Sequence, residues 1–208
     1  MFNAKDHWNK IYSEKQSHEV SWTQLVPTTS LNFIADFKIP TEANIIDIGG
    51  GDSKLVDYLL MKGYQNLTVL DISEQAINRA KTRLGSHAAK VKWIIADIND
   101  FTPAEKYDYW HDRAAFHFLT TEEEIAHYYS ISSSALHHDG IMTIGTFSEK
   151  GPDKCSGLPI KKYSEITLSG ILEKGFLKIK CEEEIHITPF NSEQSFLFCN
   201  FKKKQIVN

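Results

Sequence analysis

Three strand-like segments end in aspartate, and the first runs straight into glycine. IIDIGGGDS carries Asp47, Gly49, Gly50, Gly51 and Ser53, VLDIS carries Asp71, and IIADIND carries Asp97. Glycines at the end of a strand let backbone amides, and the start of the next helix, come close to a ligand. A dinucleotide site would continue as G-x-G-x-x-G, but the sixth place counted from Gly49 is Lys54, and a phosphate loop would need G-K-[ST], which is absent here. The carboxylate of Asp47 beside the glycines repels a pyrophosphate and favours a cationic or hydroxyl-bearing ligand. Asp71 is placed to accept both hydroxyls of a ribose, although Ser73 and Glu74 behind it also allow a helix cap. Asp97 suits the exocyclic amine of an adenine, with Ile98 over its face, while aspartate at a strand end is also ordinary turn chemistry. Three such aspartates in succession favour a nucleoside site.

A second group of reactive side chains lies in WHDRAAFHFL, which holds Asp112, Arg113 and His117, and in the loop SEKGPDKCSGLPIKKYS, which holds Cys155. The aromatic residues here read as core, Arg113 as a partner for a carboxylate or a substrate, and His117 as the candidate general base. Cys155 reads either as a substrate contact or, more simply, as a small apolar residue packed beneath the loop.

The elements that must hold these residues alternate. Strand-like runs at Ala43 to Ile48, Leu67 to Leu70, Val91 to Ala96, Tyr107 to Trp110 and Ile141 to Phe147 are separated by segments with helical spacing. Asp52 or Ser53 can cap the first of these helices, and Thr121 with Glu124 has capping-box spacing. Gly63 and Gly140 suit helix ends. Units of about thirty residues imply right-handed crossovers and a parallel sheet covered on both faces, a doubly wound three-layer α/β fold. The close of the chain differs. After a helix around Tyr163 to Lys174, the runs Phe176 to Thr188 and Ser195 to Phe201 are joined by too short a link for a crossover, so they should form an antiparallel hairpin. Ahead of the first strand, a helix from Thr23 to Phe37 and an aromatic-bearing segment belong to no strand-helix unit.

The 208 residues suit one core, and this division follows: a helical lid over 1–40, a ligand-binding core over 41–147, a substrate loop over 148–162, and a final helix and hairpin over 163–208. A net charge of -4 gives no footing for a nucleic-acid partner. No apolar run is long enough to span a bilayer, so no membrane partner is expected. Cys155, Cys181 and Cys199 are an odd, widely spaced set, from which neither a disulfide framework nor a metal site is expected. A cytoplasmic setting fits that reading, and no feature specifies an oligomeric state.

These motifs resemble those of the class I, seven-strand S-adenosylmethionine-dependent methyltransferases, and the resemblance extends over nearly the whole chain. IIDIGGGDS is similar to the family's first motif, VLDIS to its ribose motif, IIADIND to its adenine motif and YDYWHDRAAFHFL to its fourth-strand motif, with Ser53 where a third glycine is usual. The resemblance implies S-adenosylmethionine as cofactor, yielding S-adenosylhomocysteine. Gly49, Gly50 and Gly51 would pass beneath the methionine part, Asp71 would hold the ribose, and Ile72 and Ile98 would sandwich the adenine. Asp97 would bind the adenine amine, and Asp47 with the backbone around Asp112 would face the amino group and sulfonium. The N-terminal DHWNKIY…VSW resembles the entry segment of methyltransferases acting on small molecules and of protein-lysine methyltransferases. It implies that Trp8, Tyr12 and Trp22 close over the cofactor. The GP-x-x-CSGLP segment resembles bacterial members akin to thiopurine and thiol methyltransferases. A small-molecule acceptor is the leading expectation, with Tyr12, Arg113, His117 and Cys155 as substrate candidates. A protein lysine and a non-catalytic cofactor-binding subunit are the alternatives.

Overall fold

The computed structural model describes residues 3–205, so the 1–208 span of the expected domain runs past them at both ends. Five strands, β1 (Asn44–Ile48), β2 (Asn66–Asp71), β3 (Val91–Ile95), β4 (Tyr107–Arg113) and β5 (Leu136–Phe147), pair in parallel. Two more follow a two-stranded hairpin, β6 (Lys154–Cys155) and β7 (Leu158–Pro159). They are β8 (Phe176–Ile187) and β9 (Glu193–Lys203), and both are antiparallel to their neighbours. The seven-stranded sheet has the order β3-β2-β1-β4-β5-β9-β8. Strand order reverses between β1 and β4, where an open α/β sheet forms its ligand crevice.

Helices α3 (Leu55–Met61), α4 (Glu74–Leu84), α5 (Glu122–Ala135) and α6 (Glu165–Leu172) join the strands, preceded by α1 (Ala4–Glu14) and α2 (Thr28–Asp36). Alternate residues of each central strand feed opposite layers. Ile46, Trp110 and Ile144 pack with Tyr128 of α5 and Leu168 of α6 on one face. Ile45, Val69 and Tyr109 pack with Leu55 and Leu59 of α3, Ile77 of α4 and Ile34 of α2 on the other.

Several expectations are corrected. The helix expected from Thr23 begins only at Thr28, because Pro27 disfavours a helical conformation in the residue before it. Gly140 does not end a helix: α5 stops at Ala135, and Gly140 lies within β5 against the Asp108 carbonyl. Lys54 rather than Asp52 or Ser53 is the residue preceding α3, although the Ser53 hydroxyl accepts from the Leu55 amide. Cys181 and Cys199 form a disulfide across β8 and β9, against the expectation of none. A separation of 18 positions in sequence hid a direct cross-strand pairing, with the two cysteines opposite each other in the register.

Candidate active site

A cavity of about 560 Å³ opens at the carboxyl ends of the central strands. Its first half is walled by Gly49 after β1, Leu70, Asp71 and Ile72 at the end of β2, and Asp97, Ile98 and Asn99 after β3. Gly49 adopts φ +64°, and a Cβ there would lie 2.7 Å from the Cβ of Ala115. This residue meets both demands that exclude a side chain, a left-handed backbone and a crowded neighbour.

The other two glycines serve the carboxylates. A Cβ on Gly50 would stand 2.5 Å from Asp47 Oδ2. One on Gly51 would meet Asp71 Oδ2, so neither glycine tolerates a side chain while both aspartates keep their places. Asp47, Gly50, Gly51 and Ser53 therefore lie beneath or behind the cavity wall rather than on it. Asp47 Oδ1 bonds His111 Nδ1 at 2.6 Å, and His111 Nε2 reaches Ser30 Oγ at 2.8 Å, leaving Asp47 Oδ2 buried and unpartnered among the described residues.

Asp71 does reach the cavity. Its Oδ1 accepts from the Ser73 amide at 2.7 Å, so the ribose and cap readings coexist in one side chain. Burial pushes its carboxyl up to about 7, the Ser73 amide opposes that, and the nearby Asp47 carboxylate adds to it. Asp97 Oδ1 accepts from the Asn99 amide at 2.9 Å and caps the short turn carrying Ile98.

The second half is walled by Arg113 and Ala114 after β4, Phe147 at the end of β5, and Cys155, Leu158 and Pro159 from the β6–β7 hairpin. One expectation fails here, that of His117. The Asp112 side chain is turned away from the cavity: Oδ1 accepts from the Ala115 and Phe116 amides, and Oδ2 from the Tyr128 hydroxyl at 2.9 Å. It builds the turn that presents residues 113–115, with burial raising its carboxyl to about 6. His117 is fully buried, its ring stacked 4.5 Å from that of Phe147, which itself lines the cavity. Burial first, and Arg113 second, push its imidazole down to about 3, so it is a neutral packing group one layer behind the wall and not a base facing substrate. Cys155 is a buried thiol on the wall, raised to about 11 by burial.

The N-terminal segment straps the two halves together. Asn9 Oδ1 accepts from Ser73 Oγ at 3.0 Å, the His186 ring donates to the Ser21 carbonyl, and Gln24 donates to Glu184. Along this strap Trp8 packs edge-on against Trp22 at 5.7 Å and Phe118 at 5.1 Å. Trp8, Tyr12 and Trp22 all line the cavity. Sequence reading missed Asn9, Phe118, Phe147, Leu158 and Pro159. All but Phe147 lie within segments quoted above, yet none was singled out, and the register of β5 and the β6–β7 turn bring the last three to this wall.

Residues 45–140 match the family model described as a methyltransferase domain. Malonyl-[acyl-carrier protein] O-methyltransferase 1 of Ilyobacter polytropus is 26% identical over 74% of this chain and 60% of its own length. The eEF1A lysine and N-terminal methyltransferase of Mus musculus is 26% identical over 59% of this chain but 18% of its own length. The chain thus spans less than two thirds of either relative. A solved 1,6-didemethyltoxoflavin-N1-methyltransferase of Burkholderia thailandensis, with its substrate and S-adenosylhomocysteine bound, superposes with a TM-score of 0.72. It is 16% identical and covers 97% of this chain and 87% of that one. Residues 45–140 thus match a methyltransferase domain, and the fold is shared with solved S-adenosylmethionine-dependent methyltransferases.

Proposed function

We propose that this protein transfers the methyl group of S-adenosylmethionine to a small-molecule acceptor. The observation that carries the reading is one continuous cavity with two unlike halves, carboxylates and a glycine turn on one side and aromatic rings with an arginine on the other. The residues fit the cofactor: Asp71 offers a carboxylate for ribose hydroxyls, Asp97 an acceptor for the adenine amine, and Ile72 and Ile98 apolar faces for its ring. The orphaned Asp47 oxygen beneath Gly50 places negative charge under the turn, where a cationic ligand is favoured.

The cofactor supplies a methyl group already activated by its sulfonium, so the protein's task is alignment and exclusion of water. Trp8, Tyr12 and Trp22 roof the cavity as the lid, Arg113 to Ala115 wall it between the two halves, and no side chain is assigned as general base. The N-terminal strap and the β6–β7 hairpin enclose the acceptor half, which favours a small acceptor over a lysine on a folded protein.

Labelled S-adenosylmethionine incubated with the protein and a panel of thiols, amines and carboxylic acids tests this. Label should appear in a small product. Label confined to protein bands of an added lysate would overturn the small-molecule reading.

A further inference from the structure

Arg113 is the one cationic side chain lining the cavity among the described residues, and its charge is not neutralised by contact. Its Nη1 donates to the Trp22 carbonyl at 2.9 Å, and its guanidinium lies 4.8 Å from the centre of the Phe196 ring. Nε and Nη2 are buried and have no hydrogen-bond partner. Glu184 and Asp47 act on it through space, but no described carboxylate comes within the 4.0 Å of an ion pair; Glu184 Oε1 accepts from Gln24, and its Oε2 is buried without a hydrogen-bond partner. Nε–H and Nη2–H point from the same edge of the guanidinium, the edge that grips a carboxylate with two parallel hydrogen bonds.

A buried cation whose counter-charges stand beyond ion-pair contact is costly, and the cost falls when a ligand brings a charge into contact. Phe147, Leu158, Pro159 and Trp22 line the same cavity and offer apolar contact, while its carboxylates are Asp71, Asp97 and Glu124. The proposed cofactor is itself cationic, so a second cation in the same cavity is tolerated best when the other ligand is negative.

We propose that the acceptor carries a carboxylate and that the guanidinium of Arg113 is its anchor. This rests on the methyltransferase reading. It names the charge class of the acceptor and makes Arg113 a specificity-determining residue.

Short-chain and aromatic acids, each paired with its neutral amide (3-phenylpropionate with 3-phenylpropionamide, benzoate with benzamide, 3-mercaptopropionate with 3-mercaptopropionamide), are titrated calorimetrically into the protein saturated with S-adenosylhomocysteine. At least one acid should bind about 10-fold or more tightly than its amide, the range of a charge-assisted hydrogen bond. The preference should vanish in Arg113→Met, with S-adenosylhomocysteine binding by the variant as its fold check. Acids binding no better than amides to the wild-type protein would overturn the inference and leave Arg113 as a tie for the N-terminal strap, whether or not the variant folds. Failure of S-adenosylhomocysteine itself to bind would instead bring down the methyltransferase reading.

Discussion

The two halves of the cavity are built on opposite principles. The half proposed for the cofactor consists of strand ends that offer backbone and carboxylates, and each aspartate there is held by a nearby amide or ring: Asp71 by Ser73, Asp97 by Asn99, Asp47 by His111. The half proposed for the acceptor consists of side chains from β4, β5, the β6–β7 hairpin and the strap, and Arg113 there keeps unused donors. A site that receives an invariant ligand can satisfy its polar groups internally and leave only the recognition atoms free. A site for a variable acceptor leaves them to the acceptor.

The largest expected effect comes from destroying the cofactor half. Gly51→Val would drive a branched side chain into Asp71 and toward the Ala76 Cβ, which stands only 2.9 Å from a single Cβ placed there. Such overpacking costs about 1–3 kcal/mol in stability. S-adenosylhomocysteine binding, read by calorimetry on whatever folds, should fall beyond detection. If affinity survives, Asp71 is not where the ligand needs it.

The acceptor half can be loosened separately, because β9 carries Phe196 beneath Arg113 and the disulfide pins β9 to β8. Reduction, or Cys199→Ser, should lower unfolding stability by about 3 kcal/mol, as expected for a closed loop of this size. It should leave cofactor affinity within a few-fold. Denaturant titration and calorimetry on the same samples separate the two readouts, and a parallel loss of cofactor affinity would mean that the halves are not independent.

Asp71→Asn is the finer probe of the first half. Losing a charged acceptor for two hydroxyls should weaken S-adenosylhomocysteine binding by about 1.4–2.8 kcal/mol, roughly 10- to 100-fold. The same variant tests the electrostatics. Burial raises the folded Asp71 carboxyl to about 7, above its ordinary value, so the stability it contributes is full at acid pH below that ordinary value and is lost as pH rises through about 7. The free protein should therefore gain stability as pH is lowered from 8 toward 5, with Asp71→Asn removing the upper part of the slope. Asp112, raised to about 6, would still contribute below it. Thermal melts across that pH range without cofactor give the comparison.

Cys155→Ser should have the smallest effect. The thiol is neutral and buried, so turnover should change less than about threefold, with a stability loss on the order of 1 kcal/mol. A much larger loss of turnover with cofactor binding intact would make the thiol a substrate contact.

The same contrast governs what was legible in the sequence. IIDIGGGDS, VLDIS and IIADIND were readable because strand, turn and ligand contact are consecutive in the chain, so spacing alone places the chemistry. The antiparallel close of the sheet was readable because a short link forbids a crossover. His117 was misread because the turn after β4 sends its ring behind Phe147, which composition does not disclose. The Cys181–Cys199 pairing and the place of Phe147 depend on register between strands distant in sequence, and no local pattern encodes that register.

Calorimetric titration of S-adenosylhomocysteine into the folded wild-type protein and into Asp71→Asn bears most directly on all of this. One molecule should bind per chain, with the affinity reduced roughly 10- to 100-fold in the variant. Absence of binding to the wild-type protein, or equal affinity in the two, would contradict the assignment of the glycine and aspartate half as the cofactor's seat.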